Sequence, residues 1–117
     1  MHDNIKKRIN IAAKRQPADL VIKNCKIVNV FTHEIIEGYI AVSDGKIAAV
    51  GNYSGEKEVD AEGRYALPGF INSHIHIESS FVSPEEFSRL VVPHGTTTII
   101  ADPHEIVNVC GMDGFDY

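Results

Sequence analysis

Two histidines one residue apart, in Ser73-His74-Ile75-His76-Ile77, restrict this chain more than any other feature. Neighbours on a helix face lie three or four residues apart, so His74 and His76 cannot share one. On a strand, successive side chains alternate, which sends both imidazoles to one side and Ile75 and Ile77 to the other. Such a segment offers two ring nitrogens to a metal ion and two apolar groups to a packing layer. In a sequence with six histidines the pair alone is a weak sign, and surface polarity on a half-exposed strand is the plain alternative. The apolar run Phe70-Ile71-Asn72 before it and Glu78-Ser79-Ser80 after it strengthen the metal reading.

The composition is that of a globular chain, with 44% hydrophobic and 23% charged residues. A net charge of −5, with no basic stripe interleaved with aromatics, argues against nucleic acid as a partner. Lys6, Lys7, Arg8, Lys14 and Arg15 cluster near the start, but no apolar segment or small-residue cleavage site accompanies them. They read as a solvated helix face and not as a targeting peptide. No apolar run approaches the roughly 20 residues that span a bilayer, so no membrane partner is expected. Cys25 and Cys110 match no metal or redox spacing, which suggests two reduced, buried thiols in a cytoplasmic protein.

Three stretches follow one another. In residues 4–15, Ile5, Ile9 and Ala12 or Ala13 recur at helical spacing, and Pro17 ends the helix. From Ala18 to Pro68 the pattern is β-rich. Leu20–Lys23 and Lys26–Val30 flank an expected corner at Asn24-Cys25. Tyr39–Ser43 and Lys46–Val50 flank Asp44-Gly45, a strong two-residue hairpin signal. Residues 52–57 read as a loop, followed by short strands around Val59 and Tyr65-Ala66-Leu67.

From residue 69 the period changes again. Phe70–His76 reads as a parallel strand. Ser83 is placed to cap a helix, with Pro84 at its first position and Glu86 completing a capping box. Phe87, Leu90 and Val91 would face inward, and Pro93 with Gly95 would end the helix. Thr96–Ala101, β-branched almost throughout, reads as a strand buried on both faces. Strand, helix and parallel strand make a right-handed βαβ unit. Two strands have no closed core, so the pattern looks like the start of something larger.

In βα-repeat proteins, reactive residues gather at the carboxyl ends of strands. His74 and His76 lie at that end of the first strand. Glu78 would share their side if the extended conformation persisted. Asp102 and His104 fall at the end of the second, where Pro103, lacking an amide donor, suits a strand exit. Asp102 before Pro103 is either a turn-former or a catalytic group. Glu105 either joins the site or lies on the surface. His94, beside Gly95, reads as a helix C-terminal residue, and His2 and His33 as exposed. Imidazole and carboxylate donors without a thiolate motif suit manganese, iron or zinc and not a structural zinc finger. Two histidines leave the set of ligands incomplete.

The order of a β-rich leader, Leu67-Pro68-Gly69-Phe70-Ile71-Asn72-Ser73-His74-Ile75-His76, and then a βα succession resembles the amidohydrolase superfamily. Within it, His74–Ser80, Pro93-His94-Gly95-Thr96-Thr97-Thr98 and Asp102–Val109 look like bacterial-type adenine deaminases, as does the earlier Pro17–Asn24. The likeness covers nearly the whole chain. It implies an α/β fold: the start of a (β/α)8 metal-dependent hydrolase barrel, preceded by a small β-sandwich segment. The corresponding division is a helix at 1–17, the amino-terminal part of a sandwich at 18–68, and the first two β/α units of a barrel at 69–117.

The resemblance also implies hydrolytic deamination of adenine to hypoxanthine and ammonia, with a divalent metal, manganese or iron before zinc, in a homo-oligomeric parent. By position, His74 and His76 would be metal ligands, while Glu78, His104 and Glu105 match motif positions near the substrate. A complete barrel takes about 250 residues, so this chain is expected to be an inert amino-terminal fragment of the enzyme. The other zinc-dependent deaminase fold carries a Pro-Cys-x-x-Cys site, which is absent here. The competing readings are a dihydroorotase-like enzyme acting on a cyclic amide, against which Glu78-Ser79-Ser80 speaks, and a self-standing, non-catalytic β-rich binding module.

Overall fold

A strand of 12 residues, β1 (Ala18–Asn29), organises the first half of the chain in the computed structural model, which describes residues 2–116. It pairs antiparallel with β2 (Glu34–Ser43), which pairs antiparallel with β3 (Lys46–Gly51). On its other edge β1 pairs in parallel with β4 (Gly55–Asp60) and then with β5 (Tyr65–Ala66). The result is a five-stranded sheet ordered β3-β2-β1-β4, with β5 beside β1. The Asp44-Gly45 turn has positive φ at both residues, 51° and 68°, as the two-residue hairpin demands.

Two sequence expectations are corrected here. The corner expected at Asn24-Cys25 is a bulge within one continuous strand: Asn24 has φ 53° and the β1–β2 register shifts between Ile22 and Cys25. Asn24 donates from Nδ2 to Asp60 Oδ2 at 2.9 Å, which holds the bulge against the end of β4. The loop expected over residues 52–57 ends at Ser54, because the charged residues after it form the edge strand β4. Charged residues on an edge discourage further pairing, which explains why this strand lacks the usual apolar alternation.

The bulge decides which face each residue of β1 serves. Before it, Val21 pairs with Ala41 on one face and Ile22 with Ile40 on the other. After it, odd-numbered Cys25 and Ile27 pack with Ile40. One face is covered by α1 (His2–Ala12), whose Ile11 is fully buried with Ala18, Val21 and Ala41. Lys7 Nζ meets Asp19 Oδ1 at 2.8 Å, and the second Asp19 oxygen accepts from the Asp44 amide at 3.0 Å, so an ion pair aligns the helix with the hairpin. The Cys25 thiol donates to the Gly38 carbonyl at 3.1 Å, and burial pushes its pKa up, so it stays a thiol. Cys110, expected to be buried, is exposed. The exposure expected of His2 concerns a side chain outside the described residues. His33 is exposed, at a turn with φ 59°.

Met1–Leu67 and Pro68–Tyr117 are separate compact units. In the second, β6 (Phe70–Ile75) and β7 (Thr96–Ala101) pair in parallel, with Phe70 opposite Thr96 and Ile75 opposite Ala101. Between them runs α2 (Pro84–Val91), where Ser83 Oγ accepts from the Glu86 amide at 3.4 Å. The Glu86 carboxylate pairs with Arg89 and does not reach back to complete the box. A 3-10 turn at Val92–His94, on which His94 is exposed, closes on Gly95 at φ 96°. The Gly95 carbonyl then accepts from Phe70 N–H at 2.8 Å, leading the chain into β7 beside β6.

Phe87 is the buried residue of α2, whereas Leu90 is 58% exposed. No residue of β7 is buried, and Ile100 is 60% exposed. Both differ from expectation because, among the described residues, β7 pairs with β6 alone, which leaves the apolar side chains of this unit few neighbours. After β7 come α3 (His104–Cys110) and a 3-10 turn at Gly111–Phe115. No described helix is long and apolar enough to cross a membrane.

Candidate metal centre

The β6–β7 ladder extends one rung past the strands, where Asp102 N–H donates to the Ile75 carbonyl at 3.1 Å. This rung holds the two carboxyl ends level and sets His74 and His76 beside Asp102 and His104. His76 occupies the middle. Its ring packs edge-on against His74, with centroids 4.9 Å apart, and against His104, with centroids 4.8 Å apart.

His76 Nδ1 lies 3.0 Å from the Asp102 carbonyl oxygen. A carbonyl only accepts, so Nδ1 carries the proton and Nε2 presents its lone pair. That lone pair faces the Nε2 of His74 at 3.1 Å. Two imidazole nitrogens bound to one tetrahedral ion at ~2.0–2.1 Å would stand roughly 3.3 Å apart, so the spacing suits a shared divalent ion. Using the other ring nitrogen to fix the tautomer is how metal-bound histidines are commonly oriented. His74 is held from below, its backbone N–H donating to Asn72 Oδ1 at 3.2 Å.

Asp102 commits its amide, its carbonyl and one carboxylate oxygen to this corner. Its amide extends the ladder, its carbonyl orients His76, and its Oδ2 accepts from His104 Nδ1 at 3.1 Å. His76, Asp102 and His104 are a group of possible metal-holding residues among those described, with donor atoms within 4.8 Å of one another. Three imidazoles and a carboxylate, with no thiolate, form a donor set for manganese, iron or zinc.

Glu78 does not keep the parity of the histidines. Ile77 is helical, at φ −61° and ψ −39°, and Glu78–Ser80 forms a 3-10 turn. The Glu78 carboxylate instead accepts from the Ile106 amide at 3.3 Å, and Ser79 Oγ donates to Glu105 Oε1 at 3.4 Å. Glu105 is exposed. The structure thus gathers His74, His76, Asp102 and His104, and ties Glu78 and Glu105 into contacts between the two connecting segments. The backbone carbonyl of Asp102 went unrecognised in the sequence. The available signal was Pro103, which holds the residue before it extended and so fixes where that carbonyl points.

Paired imidazoles and a carboxylate at the carboxyl ends of parallel strands joined through a helix offer donors for a divalent ion. The sequence model of the amidohydrolase family matches residues 65–116. That family implies a divalent metal.

Within that family its similarity runs to adenine deaminases. It is 66% identical over 97% of its length to adenine deaminase 2 of Desulfotalea psychrophila and 59% identical over 100% to adenine deaminase of Geobacillus kaustophilus. The chain spans 20% of the length of each of these relatives. Solved structures resemble it as well. L-hydantoinase from Arthrobacter aurescens has a TM-score of 0.59 at 30% identity, matching 74% of this chain and 21% of its own. The N-acyl-D-glutamate deacylase from Bordetella bronchiseptica, solved with zinc and a phosphonate inhibitor, has a TM-score of 0.62 at 28% identity, over 74% and 19%.

Proposed function

We propose that this sequence forms part of a metal-dependent hydrolase that deaminates adenine to hypoxanthine and ammonia. The observation that carries the hydrolase reading is the convergence of His74 and His76 through Nε2, with His76 locked by Asp102. The choice of adenine is supported by relatives named adenine deaminase at 66% and 59% identity, against 30% for the hydantoinase. On this reading residues 18–68 contribute to a β-sandwich, and residues 69–117 are the first two β/α units of a (β/α)8 barrel.

His74 and His76 would hold the ion, with the Asp102 carboxylate next to them as a further donor. When bound, a divalent ion lowers the pKa of its water toward roughly 7, supplying a nucleophile for C6 of the purine. Everything else falls to side chains. Manganese or iron is our preferred metal, with zinc as the third choice. His104, held by Asp102, would pass a proton to the ring or the departing amine. Glu105, accepting from Ser79, is a second carrier at the rim.

The test is to express the full polypeptide carrying this sequence, load it with Mn(II), and assay adenine beside dihydroorotate and a hydantoin. Hypoxanthine and ammonia in equal amounts are expected. Turnover of a cyclic amide with none of adenine would replace this reading by the dihydroorotase-like one. A metal-loaded protein inert on all three would defeat both.

A further inference from the structure

We propose that Glu78 is a positioning residue that caps α3 from a distant part of the chain and so sets His104 against His76. This rests on the hydrolase reading above and assigns Glu78 a role within that site.

The first amides of a helix have no partner inside it, and a polar residue at the N-cap normally accepts from the second or third of them. At the N-cap of α3 stands Pro103, which has no side-chain acceptor and makes no cap bond. Ile106 is the third residue of that helix, and its amide donates to Glu78 Oε1 at 3.3 Å. Glu78 therefore does from 28 residues away what a local cap would do. A carboxylate at a helix start also meets the positive end of the helix dipole.

The two ends of this bond explain its consequence. Glu78 lies two residues after His76, and Ile106 two residues after His104. The bond is thus a second tie between the segments carrying the two histidines, beside the tie from His76 Nδ1 to the Asp102 carbonyl. A 3-10 turn with Phe81 at φ 61° aims Glu78 at α3 and away from the parity of the imidazoles. Ser79 to Glu105 adds a weaker contact between the same segments, at 3.4 Å.

A carboxylate that moves protons or binds metal needs its charge. One that only accepts an amide hydrogen can do without it, because the carbonyl of glutamine also accepts, in a weaker bond than the carboxylate makes. In the full polypeptide, Mn(II) uptake is followed by the loss of the free-ion EPR signal, and the Ile106 amide by hydrogen exchange. Glu78→Ala is expected to weaken Mn(II) binding about 10–100-fold, the range for lost outer-shell support, and to expose the Ile106 amide, while Glu78→Gln stays within roughly threefold of the parent.

Parent-like Mn(II) binding in Glu78→Ala, or equal loss in Glu78→Gln, would overturn the proposal. If Glu78→Ala does not fold, Glu78→Gln decides: retained binding with a protected Ile106 supports it, and lost binding refutes it. Should the unmutated protein take up none of Mn(II), Fe(II) and Zn(II), the hydrolase reading falls. The Ile106 exchange comparison would still decide whether Glu78 caps the helix.

Discussion

His76 and Asp102 meet through a ring N–H and a backbone carbonyl 3.0 Å apart, a contact that no substitution at Asp102 can delete directly. It leaves His76 with one acceptor nitrogen, aimed at the Nε2 of His74. The tautomer of the central histidine is therefore written into the main chain.

The first prediction concerns the two histidines. In the full polypeptide, His76→Ala and His74→Ala should each lower adenine turnover by more than about 100-fold, beyond what outer-shell partners typically cost. Metal content measured on the purified variants should drop in parallel, more for His76, which touches both other rings. Full activity in both variants would refute their assignment as ligands.

Chelation gives the second. Exhaustive treatment with a chelator should abolish deamination, and Mn(II) should restore it in the parent but not in His76→Ala. Undiminished turnover by protein shown by elemental analysis to hold no metal would contradict the mechanism.

Gly69 supplies the third. A methyl group there would overlap the Thr97 side chain, whose Cβ would lie 2.8 Å away. Gly69→Ala should destabilise the β6–β7 pair by about 1–3 kcal/mol, as overpacking does, and lower Mn(II) affinity with it. Thermal melts of the variant that match the parent would show that the strands separate freely at this point.

A fourth follows from Lys7 and Asp19. The Lys7 ammonium, and then the Asp44 amide, hold the Asp19 carboxyl below its ordinary 3.8. Asp19 in turn raises Lys7 above 10.5. The stabilising contribution of Asp19 is present above pH 3.8 and disappears as the pH falls through its lowered value; that of Lys7 is present below pH 10.5 and disappears as the pH climbs through its raised value. An NMR titration should place the Asp19 midpoint below 3.8 and, in Lys7→Met, return it toward 3.8. An unmoved midpoint would show that the pair does not hold in solution.

Ile11 yields the last. It is fully buried between α1 and the sheet, and Ile11→Ala should cost about 2–5 kcal/mol through lost transfer energy and the remaining cavity. Hydrogen exchange should quicken throughout α1, while amides of β6 and β7 keep their parent rates. Uniform acceleration in both units would mean that they unfold together.

Local patterns carried much of this in the sequence. Asp44-Gly45 announced a hairpin because both positions need positive φ, and Ser83-Pro84 announced a helix start because both residues suit it. The pair at His74 and His76 was legible because strand alternation works over three residues. Prediction lapsed where a tertiary partner decided. Leu90 and Thr96–Ala101 read as buried from their own composition, yet burial depends on what lies opposite. Alternation extended from His74 and His76 puts Glu78 on their side, and the helical turn at Ile77 cuts that alternation short. The role of the Asp102 carbonyl had no side-chain signature at all.

The irregularity at Asn24 carries a separate implication. Because one inserted position changes the phase of β1, the same strand feeds Val21 toward α1 and Cys25 toward the opposite side. Run straight through Asn24, plain alternation would turn Cys25 and Ile27 to the helix-covered surface, whereas deleting Asn24 would remove the extra residue and leave both on their present side. Loss of this one residue should therefore be tolerated better than a β-branched side chain in its place, which resists the positive φ that the bulge requires.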